Sequence, residues 1–227
     1  MTISNKRPRK RSEKREDLAR RIMDSSLELF MKHGYSNTTT RQILQSVGIL
    51  NGSLYNIFES KDDILAALLT ESIKECMLLC KGYRSESSGF VDDVLFPVCL
   101  AIHASDRCVR IAEMLSVANK DWGIMQKSSD MLLKWALANG HVPNIDVDDF
   151  RRRMFVAGGM LGSITEIMMM TPGTVDSKGT MHLAADIITR VLGIDTDVSE
   201  RVDRFYDIVT TEDIMVCGLH INGEDLC

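Results

Sequence analysis

Cysteine and histidine side chains recur at the spacing of one helical turn in the middle of the chain. Cys76 and Cys80 lie four residues apart, and so do Cys99 and His103. Two such pairs on neighbouring helices could bind zinc tetrahedrally. If the two helices are antiparallel and joined near Glu86, however, Cys99 lies about two turns away from Cys80. We therefore expect no metal site and no cofactor, and regard these residues as small core side chains.

Motifs that mark the common enzyme classes do not occur in this sequence. There is no Gly-rich phosphate loop, no G-x-S-x-G and no H-E-x-x-H. The one pairing that could supply a nucleophile and a base for covalent catalysis is His103 with Cys99 or Cys108. Core packing explains the same residues equally well. We expect a protein that has no catalytic residues and is not an enzyme, and keep a Cys/His enzyme as an alternative.

The composition is typical of a helical globular protein. Hydrophobic residues make up 44% of the 227 residues, and there are only 4 Pro and 15 Gly. No apolar run reaches the roughly 18–20 residues that span a bilayer, and no apolar stretch follows the basic N-terminus as in a signal peptide. We expect a cytoplasmic protein that makes no membrane contact and whose six cysteines are reduced thiols.

Charge is divided unevenly along the chain. Residues 1–60 have a net charge of +5, whereas residues 61–227 have a net charge of −10. A basic head on an acidic body indicates that the head binds a polyanion. The first part, residues 1–15, reads as a basic flexible arm that could lie along a DNA backbone or enter a minor groove. A solvated tail without a partner is the alternative.

Apolar spacing and turn residues define the first two helices. A helical pattern runs from Glu16 to His33 and ends at Gly34, the expected stop signal. Thr39 and Gln42 match a capping box, in which each side chain satisfies a free backbone amide of the other residue. The sequence therefore predicts a long helix and then a short one, which is closed by Gly48.

The dipeptide Asn51-Gly52 stands between apolar residues, which is also the strongest local signal for a hairpin turn. A hairpin needs alternating strands on both sides, but the flanking apolar residues keep helical spacing. Ser60 then supplies the N-cap of a long fourth helix. We predict a short third helix that begins at Asn51-Gly52 and completes a helix-turn-helix, whose second short helix enters the major groove of DNA.

Over residues 16–66 this region resembles the N-terminal domain of TetR-family transcriptional regulators. The residues that carry the resemblance are Thr39-Thr40-Arg41-Gln42-Ile43, Val47-Gly48-Ile49, Gly52-Ser53-Leu54-Tyr55, Phe58 and Ser60-Lys61-Asp62-Asp63-Ile64-Leu65, after Phe30-Met31-Lys32-His33-Gly34-Tyr35 at the end of the first helix. The resemblance implies an all-α fold, in which a three-helix DNA-binding domain precedes a larger helical domain for ligand binding and dimerisation.

Four residues depart from the family pattern. The family usually has Ala at the positions of Leu44 and Val47, a hydroxyl residue at Leu50 and a polar ring at Ile57. The two larger apolar residues require only small adjustments in packing. Because a hydroxyl at position 50 would cap the third helix, we expect Asn51 to take over that cap.

Backbone contacts supply affinity for DNA and base edges supply sequence specificity. The resemblance implies that Thr40, Tyr55 and Lys61 bind phosphates, while polar residues of the third helix face the bases, where Asn suits adenine. The alternative for Tyr55 is a core aromatic with an exposed hydroxyl, and the alternative for Lys61 and Arg41 is an ordinary solvated charge. The expected DNA-binding residues are Thr39, Thr40, Arg41, Asn51, Gly52, Ser53, Tyr55, Asn56 and Lys61.

The rest of the chain has helical spacing throughout. The predicted helices lie at about 61–81, 90–104, 107–119, 121–139, 147–170, 177–193 and 198–209, with breaks at 82–89, 139–140, 171–173 and 193. The predicted domains are the basic arm at 1–15, the helix-turn-helix domain at 16–60 and the ligand-binding and dimerisation domain at 61–227.

A helix-turn-helix protein reads DNA with two copies about 34 Å apart, so we expect a homodimer. Glycines within the predicted helix 147–170 cost up to about 1 kcal/mol each against Ala, which indicates close packing by another helix. The resemblance implies an interface made by the last two long helices, and packing within one subunit is the alternative. The expected interface residues are Phe155, Gly158, Gly159, Gly162, Ile187 and Val191.

The resemblance also implies a ligand pocket in the middle of the body. Methionine and tryptophan would suit an adaptable apolar cavity, although such residues also form ordinary cores. The expected pocket residues are Met77, Met114, Trp122, Met125, Met131 and Trp135.

Together these features favour a sequence-specific DNA-binding regulator with three partners: double-stranded DNA, a small-molecule effector and a second copy of the chain. We expect a repressor that an apolar or amphipathic ligand releases from a palindromic operator. A helical DNA-binding adaptor that acts through a protein partner is an alternative, and the acidic residues after Gly193 could serve it.

Overall fold

The computed structural model describes residues 7–83, 89–138 and 146–227, and the regular secondary structure in these ranges is helical apart from one short hairpin. The helices are α1 Arg7–His33, α2 Thr40–Val47, α3 Asn51–Tyr55, α4 Lys61–Gly82, α5 Phe90–Arg107, α6 Val109–Ala118, α7 Trp122–Ala138, α8 Val147–Met170, α9 Ser177–Leu192 and α10 Ser199–Thr211, followed by strands β1 Met215–Val216 and β2 Leu219–His220. The all-α prediction is confirmed. None of the described helices is long and apolar enough to cross a bilayer.

Local capping chemistry fixes the helix-turn-helix as the sequence predicts. Thr39 N donates to Gln42 Oε1 at 2.7 Å, and Gln42 N donates to Thr39 Oγ1 at 3.3 Å, which completes the capping box of α2. Gly48 ends α2 with φ of 72°, a left-handed conformation that favours glycine. Ser60 Oγ accepts from Asp63 N at 3.0 Å and caps α4.

Two expectations for this region are wrong. Helix α1 begins at Arg7, so residues 7–15 extend the helix instead of forming an arm, while residues 1–6 lie outside the described ranges. The physical reason is that Arg, Lys and Glu are good helix formers. The cap of α3 also differs: Leu50 occupies the N-cap position, and Asn51 is the first helical residue rather than the cap.

The body packs two central helices against the others. Helix α8 lies against α6, α7 and α9, and helix α5 lies against α4, α6, α9 and α10. Helix α1 packs on α2, α4 and α6, so the N-terminal domain rests directly on the body. Within the predicted break at 82–89, helix α4 ends at Gly82 and α5 begins at Phe90, while residues 84–88 and the predicted break at 139–140 lie outside the described residues.

The last residues, 214–227, fold back over the body and are called the C-terminal strap here. Strands β1 and β2 pair with Met215 opposite His220, and the turn residues Cys217 and Gly218 both have positive φ, as a two-residue hairpin requires. A disulfide joins Cys227 to Cys108 at the junction of α5 and α6. The expectation of reduced thiols is therefore wrong for this pair, because folding brings together two cysteines 119 residues apart.

Candidate nucleic-acid interface and effector cavity

An open cleft lies between α2 and α3 on the surface of the N-terminal domain. Five of the nine residues expected to bind DNA line this cleft together: Thr40, Arg41, Asn51, Gly52 and Tyr55. The Tyr55 side chain is 55% exposed, so it is not the core aromatic that was the alternative. The capping box and the left-handed turn described above thus assemble one concave surface from two short helices.

Two features keep this cleft open to a large partner. No described atom lies within 4 Å of a Cβ built on Gly52, so the backbone of α3 is accessible there. Leu50 lines the same cleft with 81% of its side chain exposed. The sequence identified Leu50 only as a departure from the family pattern, and its place in the cleft follows from the fold.

The remaining expected DNA-binding residues flank the cleft. Thr39 is exposed, but its hydroxyl belongs to the capping box of α2. Ser53 is half-buried and Asn56 is exposed at the end of α3. The backbone oxygen of Asn56 accepts a hydrogen bond from Arg15 Nη2 at 3.3 Å, so the extended part of α1 reaches the end of α3.

Lys61 has partners within the protein. Its Nζ donates to Tyr35 O at 2.7 Å and to Thr38 O at 2.9 Å, and lies 4.1 Å from the centre of the Tyr35 ring. Burial lowers the pKa of Lys61 from its usual range, although the nearby Asp62 and Glu113 act in the opposite direction. With two of its three N–H groups used, Lys61 ties the turn before α2 to the start of α4 and retains one donor.

A carboxylate of the body holds the same turn from the other side. Glu113 on α6 accepts from Ser36 N at 2.9 Å and from Tyr35 N at 3.2 Å, one hydrogen bond to each carboxylate oxygen. Gly34 has φ of 88°, and a Cβ there would lie 2.7 Å from Arg110 Nη1 and 2.8 Å from Glu113 Oε2. Glycine is therefore required for this close contact between α6 and the N-terminal domain.

The body contains a partly open apolar cavity of about 210 Å³. Its wall is formed by side chains of α1, α4, α5, α6, α7, α8 and α9 and by the C-terminal strap. Two of the six residues expected in a pocket, Met114 and Met125, line it. Met114 follows Glu113 in sequence, so one helix contacts both the cavity and the N-terminal domain.

The other four expected pocket residues lie outside the cavity lining, which corrects the expectation for Met77, Trp122, Met131 and Trp135. Met77 is fully buried in the core. Trp122 is 68% exposed and stacks on Phe155, with 4.1 Å between ring centres. Trp135 turns its indole N–H to Asp93 Oδ2 at 2.9 Å. These side chains find partners in the surrounding structure instead of facing the cavity.

The glycines of α8 divide between two faces of that helix. A Cβ on Gly158 would lie 2.9 Å from Met125 Cε, and one on Gly162 would lie 3.1 Å from Asn119 Cβ. Both glycines therefore pack against α6 and α7 of the same subunit, which corrects their expected place in a dimer interface. A Cβ on Gly159 meets no described atom within 4 Å, so this glycine is the one that leaves its face open.

Helices α8 and α9 leave large apolar side chains uncovered on this face. The exposed residues are Val156, Ile167 and Met170 on α8 and Leu183 on α9. The expected interface residues Phe155, Ile187 and Val191 are partly exposed beside them. An exposed apolar surface of this kind marks an interaction site on a soluble protein.

The cysteines and His103 occupy packed positions in the body. Cys80 Sγ donates to Asp92 O at 3.5 Å, so the end of α4 lies beside the start of α5. Burial raises the pKa of the Cys99 thiol to about 12, which makes it a poor nucleophile at neutral pH. His103 Nε2 lies 2.8 Å from Asn222 Oδ1 of the strap. In the part of the chain that the structure describes, no three His, Cys, Asp or Glu side chains are grouped to bind a metal.

Residues 22–68 match the family model described as "Bacterial regulatory proteins, tetR family". The HTH-type transcriptional repressor Rv1474c of Mycobacterium tuberculosis is 25% identical over 134 residues, which are 59% of this chain and 65% of that protein. The HTH-type transcriptional regulator SrpR of Pseudomonas putida is 36% identical over 61 residues, 27% of this chain and 29% of that protein. The chain thus spans less than two thirds of the length of these relatives.

The fold is also similar to that of RolR, which was crystallised with resorcinol. The superposition has a TM-score of 0.56 and 14% sequence identity, and it covers 90% of this chain and 99% of RolR. This likeness extends over the body as well as the helix-turn-helix, and both the sequence relatives and the family model are those of bacterial regulators. The N-terminal domain is therefore similar in sequence to that of bacterial regulatory proteins of the tetR family, and the chain as a whole has a fold similar to that of RolR.

Proposed function

We propose that the protein is a sequence-specific DNA-binding transcription regulator and that it acts as a repressor in the cytoplasm. The observation that carries this proposal is the open α2–α3 cleft, which gathers five of the expected contact residues within the segment that matches the family model. Exposed polar and basic groups on two short helices suit a duplex groove, and the net charge of +5 over residues 1–60 favours binding to a polyanion.

Each side of the cleft has a distinct proposed role. Thr40 and Tyr55 bind phosphates, and Arg41 reaches a phosphate or a guanine edge. Asn51 and Asn56 face base edges, where the Asn side chain suits adenine. Ser53 on the same helix also faces the groove, and the open backbone at Gly52 allows α3 to approach the DNA closely. Thr39 and Lys61 hold the turn before α2 in position. Leu50 adds an apolar side chain that could contact a thymine methyl group.

The regulator works as a homodimer in this proposal, with the exposed face of α8 and α9 as its interface. Val156, Ile167 and Met170 lie on α8 with Gly159, and Leu183 lies on α9, so a second copy could bury a continuous apolar surface. A twofold pair of this kind sets its two helix-turn-helix domains, the reading heads, about 34 Å apart on a palindromic operator. A domain boundary near residue 60 separates the helix-turn-helix domain, residues 16–60, from the body, residues 61–227.

The cavity is the proposed effector site, and α6 is the proposed link to DNA. Met114 lines the cavity, while the adjacent Glu113 holds the amides of Tyr35 and Ser36. A ligand that displaces α6 would favour a state in which the heads are misplaced for DNA, because a ligand shifts an equilibrium by its differential affinity for the two states. RolR, whose fold is similar, was crystallised with the small molecule resorcinol.

A matched pair of charge-removing variants tests the proposal. Arg41 lines the cleft, whereas Lys134 is a basic residue exposed on α7 of the body. In fluorescence anisotropy with a duplex selected by the protein, Arg41→Ala should weaken binding about tenfold and reduce the salt slope by about one unit. Lys134→Ala should leave both unchanged. Equal behaviour of the two variants would refute the proposed interface.

A further inference from the structure

The wall of the effector cavity is almost entirely hydrocarbon, and its polar groups are few. Five lining side chains contain oxygen atoms: Ser72, Asp93, Asn119, Ser128 and Ser129. Among the described residues, the lining includes no Lys, Arg or His, and Asp93 is its only acidic group. A ligand with a negative charge would therefore lose its hydration without gaining a cationic partner, and a buried charge without a partner is costly.

Two of the lining serines offer only hydrogen-bond acceptors to a ligand. Ser128 Oγ donates its proton to Ile124 O at 3.0 Å, and Ser129 Oγ donates its proton to Gln126 O at 3.3 Å. Both hydroxyl oxygens therefore keep only lone pairs for a ligand.

Asn119 adds a further acceptor to the cavity lining. Its Nδ2 donates to Leu115 O at 2.9 Å, which leaves its side-chain oxygen and one N–H for a ligand. Three oxygens that accept and one N–H that donates suit a hydroxyl group, which donates one hydrogen bond and accepts another.

The size of the cavity limits the ligand further. A dry apolar cavity of about 150 Å³ in another protein binds benzene, and this cavity has about 210 Å³. We infer that the effector is an uncharged, lipophilic molecule of one or two rings with a hydroxyl group that donates to one of the lining oxygens of Asn119, Ser128 or Ser129. This inference rests on the proposed function, because it names the chemical class of ligand for the same site.

Three probes of nearly equal size separate charge from hydrogen bonding. The probes are 4-propylphenol, its methyl ether and 4-propylbenzoate; at pH 7 the phenol is neutral and the benzoate is ionised. Isothermal titration of the full chain should give the tightest binding for the phenol. The ether should bind about fivefold more weakly through the loss of one hydrogen bond, and the benzoate at least about 100-fold more weakly.

Methyl resonances of methionine report where the probe binds without any substitution. The phenol should shift the methyl signals of Met114 and Met125, which line the cavity, and should leave that of the exposed Met170 unchanged. Ala101→Leu, which fills part of the cavity, should weaken binding at least tenfold. Ala138→Leu makes the same chemical change at an exposed position and should have no effect.

The outcomes distinguish this inference from the proposed function. If the benzoate binds as tightly as the phenol, if the ether binds as tightly as the phenol, or if Met170 shifts while Met114 does not, the inferred ligand class is wrong. DNA release is measured separately, by anisotropy of a labelled operator duplex. A phenol that binds in the cavity but leaves the duplex bound would support the ligand class and contradict effector control.

Discussion

Glu113 Oε1 accepts a hydrogen bond from Ser36 N at 2.9 Å, and this contact joins the body to the turn that precedes α2. The other carboxylate oxygen accepts from Tyr35 N at 3.2 Å, so both acceptors of Glu113 are committed to backbone amides of the N-terminal domain. Helix α6 also lines the cavity through Met114. A side chain next to the cavity lining therefore holds the turn that leads into α2.

Glu113→Gln tests this link by changing one atom. The amide nitrogen that replaces one oxygen would face a backbone N–H, and two donors cannot form a hydrogen bond. We expect a roughly fivefold loss of operator affinity and faster hydrogen exchange at Tyr35 and Ser36. Glu200→Gln, at an exposed position in the first turn of α10, is the matched control and should retain full affinity. Unchanged exchange at both amides would show that the link contributes nothing.

The same contact makes stability depend on acid pH. Burial raises the pKa of Glu113, but the hydrogen bonds from Ser36 and Tyr35 and the nearby Arg110 outweigh it, and the net shift is downward. A carboxyl group with a lowered pKa in the folded state adds stability that is present above its ordinary value of about 4.3 and is lost as the pH falls through the folded value. Denaturant unfolding should show a stability difference between wild type and Glu113→Gln at pH 7 that shrinks below about pH 4. A constant difference would be the opposite result.

The glycines of α8 give a prediction that separates packing from assembly. Gly162→Ala should lower the free energy of unfolding by about 1–2 kcal/mol, because its Cβ would lie 3.1 Å from Asn119 Cβ and 3.4 Å from the backbone. Gly159→Ala has open space within the subunit, so it should not destabilise the fold and should weaken the dimer instead. Chemical denaturation measures the first effect, and analytical ultracentrifugation measures the second. A destabilised fold in Gly159→Ala with an intact dimer would reverse the assignment.

The disulfide gives a prediction for the C-terminal strap. Cys227→Ser should lower the free energy of unfolding by about 2–4 kcal/mol, because the bond to Cys108 closes a loop across 119 residues of sequence separation. Wild type treated with a thiol reductant should then unfold at the same denaturant concentration as the variant. Cys80, a buried cysteine that takes no part in this disulfide, provides the control: Cys80→Ser should remain sensitive to the reductant. Wild-type stability that is insensitive to reductant would contradict the bond.

Local signals in the sequence were sufficient for most of the helices. Thr39 with Gln42, Gly48 and Ser60 are residues whose chemistry acts within one turn of helix, and each does in the structure what its type and spacing predict. The bounds predicted for the helix at 147–170 agree with those of α8, which Asp146 caps at its start.

Contacts between distant segments were not accessible in the same way. Ser36 and Glu113 are 77 residues apart, and neither residue type signals the contact. The stripe of Gly158 and Gly162 indicates close packing, but spacing within one helix does not say which neighbour lies against it. Tryptophan suggested a cavity wall, whereas Trp122 lies exposed on the surface, a position that follows only from the tertiary arrangement.

The most direct test of the central claim selects duplexes from a random DNA pool with the purified chain and sequences them. The account predicts a palindrome whose half-sites lie one helical turn apart. Asn51→Ala should relax the preferred base at one position of each half-site, and binding should depend strongly on salt. Recovery of no enriched sequence at low ionic strength, or of a motif that Asn51→Ala and Arg41→Ala leave unchanged in both sequence and affinity, would contradict it.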